Sequence, residues 1–160
     1  MSDYLLVLLA VFLTVGTGLF VASEFAIISS DRAQLEADRG SGEKGLDRSI
    51  RAISKTSTHL SSAQLGITLT TLLTGFVAEP AISRLISPWL ATFNLSEGAQ
   101  KTLSVFVAMT IATIFSFLIG ELVPKNMALA APKRVLKLVV GFQLGFTWLF
   151  SYLVRFMNNN

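Results

Sequence analysis

An unbroken apolar stretch at the start of the chain limits the possible folds more than any other sequence feature. Residues 4–22 carry no charge, and apolar residues continue past Ser23 and Glu24 to Ile28. Roughly 20 apolar residues suffice for a helix to cross the hydrocarbon core of a bilayer. Because a backbone in lipid must satisfy its own hydrogen bonds, the sequence predicts an all-α membrane protein whose first span covers residues 4–28.

The composition supports a membrane protein and excludes several functions. Of the 160 residues, 52% are hydrophobic and 14% are charged, whereas soluble domains carry about 25% charged residues. The absence of cysteine excludes disulfides and thiolate metal sites, and the single histidine, His59, excludes a multi-histidine metal site. The net charge of +3 is dispersed along the chain, so no nucleic-acid partner is expected. His59 itself is predicted to be an interfacial residue.

Charged and apolar segments alternate in a way that predicts three spans. Residues 29–59 are the most charged part of the chain, and a Gly-Ser-Gly run at 40–42 divides them into two short predicted helices. Because lysine and arginine in short loops mark the cytoplasmic side, this loop is assigned to the cytoplasm and the N-terminus to the outside. Further spans are predicted at residues 60–78, ending at Glu79 and Pro80, and at residues 102–121, followed by a cytoplasmic C-terminus.

The apolar segment at residues 135–156 has two interpretations. Composition alone slightly favours a fourth span. The alternative is a helix that lies in the inner membrane interface, which Trp148, Tyr152 and the basic residues before the segment would brace.

The second span carries polar residues on one helical face. These residues recur at steps of three and four, which is the spacing of one side of a helix. Such a face is too polar for lipid, and we expect it to line the protein interior or a water-filled cavity. The alternative is that the hydroxyls bond to carbonyls of their own helix. The residues of this face are Ser61, Gln64, Thr68, Thr71 and Gly75.

The third span ends in the sequence GELVPK at residues 120–125. Placing an acidic residue within a membrane costs free energy, so such a residue indicates a function by default. Pro124 has no N–H to donate to the Gly120 carbonyl, so that carbonyl is predicted to have no partner in the helix. The Gly120 carbonyl and the Glu121 carboxylate are therefore predicted to be two oxygen ligands of one hard cation. The alternative is a helix that ends at the water interface, with Glu121 and Lys125 as an ordinary i,i+4 pair.

Polar features of all three spans are expected at one depth of the membrane, as in an ion site built at broken helices. Their carboxylate, hydroxyl, amide and carbonyl oxygens suit Mg²⁺, Na⁺ or Ca²⁺ better than zinc or copper. Glu24 is interpreted mainly as a helix-contact or interfacial residue. No nucleophile–base set can be assembled, so we expect no enzyme. The features are Ser23 with Glu24, the Gln64 face, and Gly120 with Glu121.

Three motifs resemble the transmembrane domain of the CorC / cyclin M (CNNM) family. They are FVASEFAII at residues 20–28, AQLGITLT at 63–70 and GELVPK at 120–125, and the resemblance covers essentially the whole chain. It implies a Mg²⁺ transporter that exports Mg²⁺ in exchange for Na⁺ and forms homodimers with three spans per subunit. It further implies a juxtamembrane helix at about 135–156 and, in the full-length protein, a cytoplasmic CBS-pair domain that binds ATP.

The resemblance also implies a set of metal ligands. The family binds Mg²⁺ through serine, other polar side chains, backbone carbonyls and the glutamate of the third span. That glutamate corresponds to Glu121 beside Gly120, and the serine to Ser23. Distant relatives carry asparagines in the second span, so the ligand from that span could be Gln64, Thr68 or Thr71. The implied ligands are Ser23, Gln64, Thr68, Thr71, Gly120 and Glu121.

The mechanism implied for such a site is alternating access of a cavity between the spans. Lys125 is a candidate to neutralise Glu121 when the site is empty. Two other functions are compatible with the same residues. One is an ion-sensing membrane scaffold, and the other is a divalent-cation channel in which Glu121 forms a ring around a dimer axis.

Overall fold

The computed structural model describes residues 3–158 and consists of helices joined by short turns. A π-helical segment (Ser116–Leu122) joins the fifth and sixth α-helices, and a 3₁₀ turn (Ala91–Phe93) follows the fourth. The α-helices are α1 (Asp3–Ser29), α2 (Arg32–Gly40), α3 (Asp47–Ser54), α4 (Thr56–Leu90), α5 (Glu97–Phe115), α6 (Val123–Ala130), α7 (Pro132–Leu149) and α8 (Ser151–Asn158).

Three helical segments are long and apolar enough to cross a membrane: Asp3–Ser29, Thr56–Phe93 and Glu97–Ala130. They contain the three predicted spans, and residues 3–158 include no strand. The prediction of an all-α membrane protein with three spans is therefore confirmed. Helix α7, which begins with Pro132 and Lys133, is not among the three segments. Its place in the membrane interface stays a prediction.

The prediction that the helix of the second span ends at Glu79 and Pro80 is wrong. Helix α4 continues through Pro80 and Pro88 to Leu90. A proline removes only one N–H from a helix, and membrane helices tolerate proline where neighbouring groups satisfy the freed carbonyl. Arg84 also supports this part of the helix, because its Nε donates to the Pro80 carbonyl oxygen over 3.0 Å. The external connection predicted after Pro80 is therefore mostly helix.

The third span changes its hydrogen-bonding pattern at the predicted break. Helix α5 continues into the π-helical segment, where the Val123 N–H donates to the Leu118 carbonyl five residues earlier. Pro124 follows, and it has no N–H to give to Ile119, five residues back, or to Gly120, four residues back. π-helical turns within α-helices occur frequently at functional sites. The predicted irregularity is therefore a π-helical turn within one continuous helical segment.

Gly18 of α1 allows a close approach between α1 and this π-helical turn. A Cβ atom at Gly18 would lie 3.0 Å from Pro124 Cγ and 3.1 Å from the Ile119 carbonyl oxygen. On the other side of the contact, a Cβ atom at Gly120 would lie 3.4 Å from Thr14 Cγ2. Small residues let helices in membranes pack closely. The glycines therefore place the irregular part of the third span directly against α1.

A hydrophobic core joins the end of α1 to α2, α3 and α7. Ile27, Leu35, Leu46 and Leu136 are each at most 2% exposed and belong to one cluster of buried side chains. The two short helices predicted within residues 29–59 are confirmed as α2 and α3. Both helices contribute to this core, so the charged segment packs against the end of α1 and α7.

A cluster of charged side chains fastens α2 and the turn that follows it to α7. Lys133 Nζ lies 2.8 Å from Asp38 Oδ2 and 2.7 Å from Glu43 Oε2, and Lys137 Nζ lies 3.1 Å from Glu43 Oε1. Hydrogen bonds from Lys133 and Lys137 lower the pKa of Glu43. Hydrogen bonds to Asp38 and Glu43 raise the pKa of Lys133.

These shifts predict how the cluster contributes to stability as the pH changes. Because the pKa of Glu43 is lowered in the folded protein, its contribution is present at neutral pH and is lost as the pH falls below about 4. The contribution of Lys133, whose pKa is raised, is lost only as the pH rises above about 10. We expect Lys133→Met to lower the melting temperature near neutral pH, and this effect should become smaller as the pH falls below about 4. Lys44→Met is the control, and equal effects of Lys133→Met near neutral pH and below about pH 4 would contradict the prediction.

His59, which was predicted to be an interfacial residue, is buried inside the protein. It is 4% exposed, and its Nδ1 lies 3.1 Å from Thr147 Oγ1. Thr147 Oγ1 also lies 2.7 Å from Ser62 Oγ, and Gln143 Nε2 donates to the His59 carbonyl oxygen over 3.0 Å. These four residues form a buried polar cluster between α4 and α7. The imidazole is buried because α7 packs against the beginning of α4 and covers it.

Candidate metal centre

A cavity of about 490 Å³ lies between α1, α4, α5 and the π-helical segment. Each of the three candidate spans contributes polar groups to its wall, and apolar side chains such as Val21, Ile67 and Phe117 fill the spaces between them. We name it the central cavity. Its polar and glycine residues are Thr17, Glu24, Gln64, Thr71, Thr74, Gly75, Thr113, Ser116, Gly120 and Glu121.

The first span presents Thr17, Val21 and Glu24 to the central cavity. These residues are four and three positions apart, so they lie on one face of α1. Thr17 Oγ1 lies 2.7 Å from Thr70 Oγ1, which connects α1 to α4 beside the cavity. Glu24 is half-buried and lines the cavity, although the sequence interpretation assigned it mainly to helix contact or the interface. Its helical spacing from the polar Thr17 is the signal that could have located it.

The second span presents part of the predicted polar face. Gln64 and Thr71, seven residues apart and therefore two turns apart, both line the cavity. Gly75 of the same face lines it too, whereas Thr68 is exposed elsewhere on α4. Thr74, which the sequence analysis did not single out, adds a buried hydroxyl that donates to the Thr70 carbonyl oxygen over 2.8 Å.

The third span brings the Gly120 backbone and the Glu121 side chain to the same cavity. Thr113 and Ser116 line the approach to them. Ser116 begins the π-helical segment, and four of the seven residues of that segment line the cavity: Ser116, Phe117, Gly120 and Glu121. The structure therefore brings together four of the six residues implied as metal ligands, namely Gln64, Thr71, Gly120 and Glu121.

Ser23 does not line the central cavity. Its side chain is fully buried, and its Oγ donates to the Leu19 carbonyl oxygen over 2.7 Å. Consecutive residues of a helix point about 100° apart, so the face that presents Glu24 to the cavity turns Ser23 away from it. Together with Thr68, Ser23 is one of two implied ligands that the structure places outside the cavity.

Lys125 lies beside the first span. Its Nζ is 4.7 Å from the centroid of the Phe25 ring, and it attracts the Glu24 carboxylate electrostatically. No ion pair joins Lys125 to Glu121 among the ion pairs of residues 3–158. The simple i,i+4 pair of a helix that ends at the interface is therefore not formed. Lys125 is placed to compensate the charge of Glu24 instead.

The donor set of the cavity consists of oxygen atoms. Two carboxylates, one amide and several hydroxyls are available, together with the backbone at Gly120. Within residues 3–158, no three His, Cys, Asp or Glu side chains come together as a metal cluster. Hard cations accept hydroxyl, amide and carbonyl oxygens beside one or two carboxylates. The cavity therefore suits Mg²⁺, Ca²⁺ or Na⁺ chemically.

Comparison with known proteins places the chain in one family. The model of the cyclin M transmembrane N-terminal domain, CNNM, matches residues 8–160. UPF0053 protein MT1890 of Mycobacterium tuberculosis is 41% identical over 99% of the chain, and UPF0053 protein YhdT of Bacillus subtilis is 33% identical over 86%. The matches cover 35% and 30% of those relatives, so the chain spans about a third of their length. The chain therefore belongs to the CNNM family of transmembrane domains.

Proposed function

We propose that the chain carries Mg²⁺ across the membrane through the central cavity. The observation that supports this proposal most directly is the meeting of Glu24, Gln64 and Glu121, one from each candidate span, around one cavity. Membership of a family of membrane transporter-type domains supports it independently. Carboxylates within spans are costly to keep unless they serve an ion pathway.

The size of the cavity indicates how Mg²⁺ is held. The cavity measures about 490 Å³, whereas six waters occupy about 180 Å³ at about 30 Å³ each. Mg²⁺ dehydrates reluctantly and usually keeps several waters, with one or two carboxylates as direct ligands. In the proposed complex, Glu121 and the Gly120 carbonyl bind the ion, Gln64 and Thr71 complete its oxygen shell, and retained waters fill the remaining space.

The proposed transport cycle is alternating access. Mg²⁺ enters the cavity from the cytoplasm, and rearrangement of the spans opens the cavity to the outside. The π-helical turn at Ser116–Leu122 is the element proposed to move, because its hydrogen bonds are already irregular and Pro124 leaves nearby carbonyls without an N–H. Na⁺, which accepts the same oxygen donors, is the proposed coupling ion.

The remaining features of the proposal are the topology, the oligomeric state and the regulatory domain. The N-terminus lies outside the cell membrane, the charged segment 29–59 and the C-terminus lie in the cytoplasm, and two chains form a homodimer. In full-length relatives of this type, an ATP-binding CBS-pair domain would regulate transport from the cytoplasm. The segment 135–156, predicted as one juxtamembrane helix, is divided between α7 and α8, and these two helices would lead to that domain.

The test is a flux measurement with the purified chain in sealed liposomes. A Mg²⁺-sensitive dye inside the liposomes reports uptake, and an outward Na⁺ gradient supplies the coupling ion. We expect saturable Mg²⁺ uptake that depends on the Na⁺ gradient. Binding of Mg²⁺ without flux would replace the proposal by an ion-sensing scaffold. Flux that neither saturates nor responds to Na⁺ would replace it by a channel.

A further inference from the structure

A second cavity of about 290 Å³ lies between the α3–α4 corner and the α7–α8 corner. Its lining differs in chemistry from that of the central cavity, because it holds two cationic side chains, hydroxyl groups and an indole, and no carboxylate. None of its residues belongs to the proposed Mg²⁺ pathway. We name it the basic cavity, and its polar and aromatic residues include Arg51, Lys55, Thr58, His59, Trp148 and Ser151.

The two cations of the basic cavity have no acidic partner. Neither Arg51 nor Lys55 takes part in any ion pair of residues 3–158. By contrast, Arg39, Lys133 and Lys137 are each paired with a carboxylate in the neighbouring elements. Two uncompensated cations beside a cavity attract an anion, and arginine matches a phosphate through two parallel N–H donors.

The start of α4 adds to the positive character of the basic cavity. Helix α4 begins at Thr56, directly after Lys55, and no side chain caps its N-terminus. The helix dipole favours a negative charge at this end. Because Thr58 and His59 of the first turn line the cavity, the positive end of the dipole lies next to Arg51 and Lys55.

One wall of the basic cavity is held in place by the buried polar cluster. His59 and Thr147 line the cavity, and their side chains are joined over 3.1 Å. Gln143, which is fully buried, donates from Nε2 to the His59 carbonyl oxygen, while its Oε1 has no hydrogen-bond partner. The hydrogen bonds tie α7 to α4 before any ligand binds. The cavity is therefore preorganised, which reduces the entropic cost of binding.

The position of the basic cavity fits the headgroup level of a bilayer. It lies where α4, a candidate span, begins and where the charged segment ends. Trp148 and Tyr152 next to it are 79% and 89% exposed, and such aromatic residues concentrate at membrane–water interfaces. Basic cavities between helices on the cytoplasmic side bind phosphate-bearing lipid headgroups.

We infer that the basic cavity binds the phosphate of an anionic phospholipid headgroup. The volume of about 290 Å³ is at the small end of the range for ligand sites, about 300–1,000 Å³, and fits a headgroup rather than a nucleotide. The acyl chains would leave the cavity past Leu144 and the exposed indole of Trp148. A bound lipid would contact α3, α4, α7 and α8 together and hold the α7–α8 corner against the spans.

The experiment compares lipid binding by matched charge variants of the full chain in detergent. Phosphatidylglycerol, phosphatidylcholine and inorganic phosphate are titrated separately, and the melting temperature and the lipid retained in native mass spectrometry are measured. Arg51→Gln/Lys55→Gln removes both cations of the cavity. Lys44→Gln/Lys101→Gln removes two exposed cations outside it and serves as the control.

We expect phosphatidylglycerol to stabilise the native chain and the control, and to bind the Arg51→Gln/Lys55→Gln variant at least about tenfold more weakly. Phosphatidylcholine should stabilise all three proteins equally and weakly. Equal loss of phosphatidylglycerol binding in both variants would overturn the site, because it would indicate attraction by net charge alone. Full stabilisation by millimolar inorganic phosphate would overturn the assignment to lipid and make the ligand a free anion.

Discussion

Replacement of Glu121 by glutamine is expected to lower the affinity for Mg²⁺ by about 100-fold and to abolish transport. Loss of a group that only supports a metal ligand costs about 10–100-fold in affinity, and loss of a charged ligand belongs at the upper end of that range or beyond it. The substitution keeps the size of the side chain and removes its charge. Since Glu121 is exposed to the cavity and forms no ion pair in residues 3–158, the folded structure should tolerate the change.

Calorimetric titration of the purified chain with Mg²⁺ measures this effect directly. Glu97→Gln is the matched control, because it makes the same chemical change at the first turn of α5, outside the central cavity. Glu24→Gln should give a smaller loss than Glu121→Gln, since Lys125 already compensates part of the charge of Glu24. Melting temperatures establish that each variant is folded. Unchanged Mg²⁺ binding by folded Glu121→Gln would place the ion elsewhere and remove the main support of the proposed function.

Local sequence patterns predicted the membrane class and three spans, but they did not predict where the helix of the second span ends. Uncharged apolar runs can only become helices in lipid, which is why the three segments were predictable. Pro80 predicts the end of a helix because the local effect of proline is to break a helix. The structure continues the helix through Pro80, and it adds support that a local rule does not include, such as the hydrogen bond from Gln100 of α5 to the Ser87 carbonyl oxygen.

Residues of the candidate site were predictable where both the residue type and the helical face indicated the protein interior. Glu121 and Gln64 are polar groups that an apolar span does not tolerate on its lipid side, so both indicated the interior. Ser23 was assigned as a ligand through the family resemblance alone. A serine hydroxyl can equally well donate to a carbonyl of its own helix, and the Ser23 hydroxyl donates to Leu19 in this way. Glu24 was not assigned to the cavity because the direction of its side chain depends on the rotation of α1, which packing against α4 determines.

Replacement of Gly66 by alanine is expected to destabilise the fold by about 1–3 kcal/mol, although alanine favours helices. A Cβ atom at this position would lie 2.5 Å from Cε1 and Cζ of the Phe20 ring. That ring is 3% exposed, and its centroid lies 4.8 Å from that of Phe142 and 4.5 Å from that of Phe146. Because α4 and α7 enclose the ring, it cannot turn aside, and α1 must move away from α4.

Gly75→Ala on the same helix provides the matched control, because a Cβ atom there meets nothing within 4 Å. Its expected effect is a gain of about 0.5–1 kcal/mol from the removal of a helical glycine. Thermal or denaturant unfolding in detergent measures both variants. The double change Phe20→Leu with Gly66→Ala should recover part of the loss, since the smaller side chain vacates the space that the new methyl group needs. If Gly66→Ala were as stable as Gly75→Ala, α1 and α4 would not be in the close contact that shapes the central cavity.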